Sequence, residues 1–184
     1  AAAVGWRPTS TRTLFRNAWY RVRQDKIATD ERTTDSASHL VYTYLEHPGS
    51  VFVVPVTPDG HLVLLRSYRD TVDDWTWEVP AGALGDQDAP PDEVARRELR
   101  EEIGGIAGSW RSLGTYYLSN GFARHPAHVL LAFDVTTPHA PRPEAGEAIE
   151  GVRRVGIDEV ERMLHDGSIT DGDSAFALLL ALAA

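Results

Sequence analysis

Three glutamates, Glu98, Glu101 and Glu102, stand in the run RRELREEIGG at residues 96–105, among three arginines and ahead of two glycines. On a helix, residues three and four apart are neighbours, so the charge partners of each glutamate can be enumerated. Glu101 has Arg97 four residues before it. Glu98 has Val94, Ala95, Glu101 and Glu102 at those spacings, and Glu102 has Glu98, Leu99, Gly105 and Ile106. Neither has a basic residue there. At about 100° per residue the three glutamates share a stripe, Ala95, Leu99 and Ile103 form an apolar edge beside it, and Arg96, Arg97 and Arg100 lie away. Each like-charge pair costs roughly a few tenths of a kcal/mol, which a cation from outside the helix would offset. Clustered carboxylates suit a hard divalent ion such as Mg2+ or Mn2+. A solvated acidic face fits the same run, and the helix alone does not separate the two readings.

The neighbouring segments must hold that helix in place. Pro90 and Pro91 are tolerated at a helix start, Asp92 and Glu93 suit its first turn, and Gly104-Gly105 ends it, so a helix is expected over 91–103. Before it, LVYTYLE (40–46) and SVFVVPV (50–56) read as strands. The turn signal TPDG and then HLVLLR (61–66) suggest a hairpin over 51–66. WTWEVPAG (75–82) reads as one strand ending at a Pro-Ala-Gly turn, and 83–91 as loop. After the helix, SLGTYYLS (112–119) and AHVLLAFDV (127–135) read as strands flanking NGFARHP. A proline- and acid-rich loop spans 136–151. IDEVERMLHDG (157–167) is a helix with Asp158 as cap and Gly167 as stop, and a last helix runs from Asp173 to Ala184. The first ten residues read as irregular, and NAWYRVRQDKIA (17–28) as separate strands. This order indicates an α+β fold, a mixed sheet with helices on its faces.

At 184 residues one domain with a sizeable core is expected. A net charge of −9 argues against a general nucleic-acid binder, whose phosphate contacts need a basic face. An acidic protein acting on a phosphate compound needs a local correction, by clustered arginine or a bound divalent cation. The absence of cysteine excludes disulfides, thiolate metal sites and cysteine nucleophiles. No apolar stretch approaches the roughly 20 residues that span a bilayer, and no secretory leader pattern opens the chain, so a cytoplasmic protein is expected.

VPAG at the end of a strand, a loop, and then RRELREEIGG resemble the Nudix box, G-x5-E-x7-R-E-U-x-E-E-x-G-U with U aliphatic. Gly82 matches its first glycine, and Arg97, Glu98, Leu99, Glu101, Glu102 and Gly104 its second half. Two departures stand out. The interval from Gly82 to Arg97 is one residue longer, with Asp86 or Asp88 nearest to the missing middle glutamate, and Gly105 occupies the last aliphatic position. The likeness extends from about residue 15 to the C-terminus and is similar to the ADP-ribose pyrophosphatase branch of that superfamily.

The resemblance implies an α/β/α sandwich with an N-terminal antiparallel sheet, 1–46 serving dimerisation and substrate covering and 47–184 forming the Nudix hydrolase domain. It implies hydrolysis of a nucleoside diphosphate linked to another group, with Mg2+ as cofactor (Mn2+ able to substitute), and a homodimer. Glu98 and Glu102, with the Ala81 carbonyl, are the implied metal ligands, and Glu101 lies at the edge, held by Arg97. The base comes from the acidic loop, where Glu147 is favoured over Glu150. Arg69 corresponds to a phosphate contact. Glu78 either lines the site or pairs across the sheet, and Gly82 and Arg124 complete the expected substrate-binding set. Relatives that take ADP-ribose usually carry proline at Asn120 and acids at Arg124 and His125. The reversed sign here suggests a distal group that is not plain ribose phosphate or that carries more negative charge. A metal pair of His125 and His128 is disfavoured, and Trp6, Trp19, Trp75 and Trp77 read as core or interface. A dinucleotide pyrophosphatase and a non-catalytic nucleotide-binding module are the alternatives.

Overall fold

The computed structural model describes residues 7–28, 39–85, 89–143 and 146–184. In chain order the elements are β1 (Arg7–Arg16), β2 (Arg21–Ala28), β3 (His39–Glu46), β4 (Ser50–Pro55), β5 (Leu62–Arg69), β6 (Asp74–Glu78), β7 (Ala81–Ala83), α1 (Pro91–Ile103), β8 (Ser109–Tyr117), β9 (Ala123–Arg124), β10 (Pro126–Phe133), β11 (Ile149–Val155), α2 (Ile157–His165) and α3 (Gly172–Leu182). These α+β elements divide into two compact units, residues 1–48 with 117–126, and residues 49–116 with 127–184. None of the described helices is long and apolar enough to cross a membrane.

The first unit is a four-stranded sheet in the order β1-β2-β3-β9. β1 is exposed along its whole length and begins at Arg7, so the opening residues are less irregular than their composition suggests. β2 pairs with both neighbours antiparallel, whereas β9, inside the expected NGFARHP loop, joins β3 in parallel through Leu45–Ala123 and Glu46–Arg124.

The second unit holds two sheets, β7-β4-β10-β8 and β11-β5-β6. Here the expected 51–66 hairpin is corrected. The chain does turn at 57–61, and Val56 bridges Leu62, but β4 then pairs in parallel with β10 and β5 pairs with β11 and β6. β4 and the first half of β5 are continuous buried apolar runs, the mark of strands covered on both faces, and such strands take partners distant in sequence. The strand expected to end at the Pro-Ala-Gly turn is β6, which stops at Glu78; Pro80 supplies no ladder N–H, and a further short strand, β7, follows over Ala81–Ala83.

Helix α1 starts and stops where proline and glycine require. Pro91 stands in its first turn, and Gly104 closes it in the left-handed region at φ 68°. A Cβ on Gly104 would lie 2.0 Å from the His139 carbonyl oxygen, so only glycine lets the following loop pass. Val94, Ala95, Leu99 and Ile103 bury one side of α1 among Val51, Val53, Val63, Leu65, Leu130, Ala132 and Val135. Fully burying each such side chain contributes roughly 1.5–3 kcal/mol, which fixes the helix's rotation and hence where its glutamates point. At α2 the cap position is Gly156, with no side-chain cap, and Asp158 lies in the first turn instead. At α3, Asp171 caps by accepting the Ser174 N–H at 2.8 Å.

Candidate active site

The packing that buries Leu99 and Ile103 also turns Glu98 and Glu102 inward, each only 5% exposed. Glu147, from the loop after β10, meets them. One carboxylate oxygen from each of Glu98, Glu102 and Glu147 lies within 4.8 Å of the others. Two backbone anchors bring Glu147 there. The Arg142 N–H donates to the Glu101 carbonyl at 2.6 Å, tying the loop to α1, and the Tyr68 N–H donates to the Ala148 carbonyl at 2.9 Å, tying it to β5. Glu150, one residue into β11, instead pairs with Arg66 at 3.1 Å.

Glu102 accepts the Ala81 N–H at 2.9 Å and forms no ion pair among the described residues. Burial pushes its carboxyl up to about 9, and the charges of Glu147 and Glu98 push the same way, against the Ala81 bond and the distant Arg69. Burial also raises Glu98, opposed by Arg97. The helical-neighbour reading needs one correction at this point. Arg97 reaches the carboxylate of the adjacent Glu98 at 2.7 Å as well as Glu101 at 3.7 Å, so Glu98 does have a basic partner. Cβ spacing omits the length of an arginine. Glu101 is less buried and stands outside the trio of carboxylates.

The glycine at 82 has a direct geometric reason. A Cβ there would lie 2.3 Å from the Glu98 carboxyl, so any side chain would drive that carboxylate out of place. Arg69 donates through Nε to Glu78 at 2.8 Å and through Nη2 to its other oxygen, and Thr76 also donates to Glu78. Glu78 therefore pairs across β5 and β6. Arg69 keeps three of its five N–H donors for other acceptors and is half exposed.

Arg124 belongs to the first unit, where it shares Glu46 with Arg23 and Arg21. His125 packs against the His47 ring at 4.3 Å, while His128 hydrogen-bonds Thr115 at 2.9 Å. Trp75 and Trp77 each face the Arg66 guanidinium at 5.9 Å. Asp86, Asp88 and Trp6 lie outside the described residues. Sequence reasoning missed Thr76 and Ser174. Ser174 accepts the buried Val79 N–H at 3.1 Å across 95 residues, and no local pattern announces such a partner.

Three carboxylates, of which those of Glu98 and Glu102 are buried, form an all-oxygen donor set that could hold a hard divalent cation. A mixed-sheet α+β fold carrying such a trio on one helix and one loop is an arrangement that could bring a cation to a hydrolytic site. The chain belongs to the NUDIX domain family, whose model matches residues 46–175. Among proteins it resembles, an ADP-ribose pyrophosphatase of Mycobacterium tuberculosis (strain ATCC 25618 / H37Rv) is 30% identical over 88% of this chain and 76% of its own length. One of Bacillus subtilis (strain 168) is 28% identical over 73% and 72%. A CMP-5'-(N-acetyl-N-hydroxy-3-aminopropyl)phosphonate hydrolase of Streptomyces rubellomurinus (strain ATCC 31215) is 30% identical over 76% and 66%. The crystal structure of an ADP compounds hydrolase has the same fold, with a TM-score of 0.78, 20% identity and coverage of 97% of this chain and 92% of that one. This protein is an ADP-ribose pyrophosphatase-like hydrolase of that family.

Proposed function

We propose that the protein hydrolyses the diphosphate of a nucleoside diphosphate linked to another group, ADP-ribose or another nucleotide sugar, to a nucleoside monophosphate and a phosphorylated product. The observation that carries this reading is the meeting of Glu98, Glu102 and Glu147. Glu98 and Glu102, with the Ala81 carbonyl, would hold Mg2+, or Mn2+ in its place, with Glu101 at the edge. When bound, such an ion neutralises the diphosphate and makes water more acidic. Glu147, the least buried of the three carboxylates, takes the proton of the attacking water. Arg97 orients Glu98 and Glu101 through ion pairs to both, and Arg69, aimed by Glu78, offers its remaining donors to phosphate oxygens. Gly82 keeps the space over Glu98 open. The reading includes a homodimer and a cytoplasmic location, both supported by the family likeness. It also includes a distal substrate group that is not plain ribose phosphate or that carries more negative charge, supported by the residue types at Arg124 and His125.

The test is a panel of ADP-ribose, other nucleotide sugars, dinucleotides and a CMP-linked phosphonate, each with Mg2+ and with Mn2+, products identified by mass. Wild type is expected to cut within the diphosphate. Glu102→Gln is expected to lose roughly 1,000-fold, or about 4 kcal/mol of transition-state stabilisation. Equal turnover by the two proteins refutes the site. A clear kcat/KM preference for ADP-ribose overturns the proposal about the distal group.

A further inference from the structure

We infer that Ser174, on the first turn of α3, is a positioning residue for the candidate active site, holding Val79–Ala81 in the placement from which Ala81 meets Glu102. The inference rests on the reading of Glu98, Glu102 and Glu147 as a cation site. β6 ends at Glu78 and β7 begins at Ala81, so Val79 and Pro80 lie outside both strands. Pro80 has no N–H, which leaves Val79 and Ala81 as the donors of this stretch. The Val79 N–H goes to the Ser174 hydroxyl oxygen at 3.1 Å, and the Ala81 N–H to Glu102 at 2.9 Å. The Pro80 carbonyl accepts the Val53 N–H at 2.8 Å. Helix α3, strand β4 and helix α1 thus each hold one of three consecutive residues.

Both partners of the Val79–Ser174 bond are 1% exposed, so water cannot stand in for the hydroxyl. Ser174 is itself fixed, because Asp171 accepts its backbone N–H at 2.8 Å. The rigid proline ring between Val79 and Ala81 restricts how far one can shift without the other. Among the described residues Ala81 supplies the one hydrogen bond of the Glu102 carboxylate, and the next residue, Gly82, sets the clearance over Glu98. A displaced Val79 therefore reaches both buried carboxylates. Supports of this kind outside the ligands themselves typically alter metal affinity about 10–100-fold when removed.

The experiment uses the full chain and Mn2+ alone as probe, with binding followed by electron paramagnetic resonance and Ala81 amide exchange by NMR. Ser174→Ala is expected to raise the Mn2+ Kd about tenfold and to speed exchange at Ala81. Ser174→Thr, which keeps the hydroxyl, restores both. Ser174→Cys, of similar size with a weak acceptor, behaves like the alanine variant and provides a second reading if the alanine variant folds poorly. Met163→Ala, a core truncation in α2, lowers Tm but leaves the Mn2+ Kd unchanged. Wild-type Mn2+ affinity and Ala81 protection in Ser174→Ala overturn the inference, as does an equal loss of affinity in Met163→Ala. Glu102→Gln in the same titration separates the two levels. If it binds Mn2+ like wild type, the cation reading fails. If it loses Mn2+ while Ser174→Ala does not, only the positioning role fails.

Discussion

Glu46 in the first unit and Glu102 in the second are both largely withdrawn from water, and their charges are met in opposite ways. Glu46 has Arg23 at 3.0 Å, Arg124 at 3.4 Å and Arg21 at 4.0 Å. Glu102 has one backbone N–H and two further carboxylates. Around Glu46 positive charge is in surplus, and around Glu102 negative charge is. The contrast shows why a count of acids says little about chemistry. A carboxylate already surrounded by arginines has no use for a cation, whereas carboxylates grouped together with two of them buried carry a charge that a cation would offset.

The largest expected effect tests which acids belong with Glu102. Glu147→Gln is expected to lower kcat by about 10²–10⁴-fold, the usual contribution of a positioned base. Glu150→Gln, whose carboxylate already faces Arg66, stays close to wild type in the same assay. Equal losses in the two variants would break the distinction.

A smaller effect appears in stability against pH. Folding raises the Glu102 carboxyl from 4.5 to about 9, so between those values the folded protein binds more protons than the unfolded chain. Stability of the metal-free protein is therefore greatest below about pH 4.5 as far as this group is concerned. It falls as pH rises towards 9, by at most about 1.4 kcal/mol per pH unit. Urea unfolding from pH 5 to 9 in EDTA should show the decline, saturating Mg2+ should flatten it, and Glu102→Gln should abolish the contribution. A curve in EDTA that rises over this range, with no difference on adding Mg2+, contradicts the assignment.

The smallest effect is at Glu46. Removing a partly exposed carboxylate from its arginines costs about 1 kcal/mol or less. Thermal unfolding of Glu46→Gln should show that small loss equally with and without Mg2+. A Mg2+-dependent loss would mean the two glutamates are less different than their surroundings indicate.

Much of the site was legible because its signals are local. The bounds of α1 follow from Pro91 and Gly104, whose backbone preferences act within one turn. The preference for Glu147 over Glu150 followed from where β11 begins, and Glu147 lies beside Glu98 and Glu102 whereas Glu150 faces Arg66. The mistaken hairpin had a different source. The apolar pattern of 51–66 marks two strands, but strand partners are chosen by the packing of the whole unit, and β10 and β11 lie far along the chain. The partner of Glu98 was missed because Arg97 is adjacent in sequence and reaches it only through a long side chain.

By itself the sequence determined the helix, the glutamates it presents on one stripe, the glycine that must face them and the family to which the chain belongs. Each of these depends on residue type at short fixed spacing, where the backbone leaves few choices. Only the tertiary structure decided that Glu147 completes the trio, that Arg69 is aimed by Glu78, and that Ser174 reaches Val79 across 95 residues. Those contacts arise from burial of the core between α1 and the sheets, which brings distant segments together and leaves their polar groups to find partners where water is excluded.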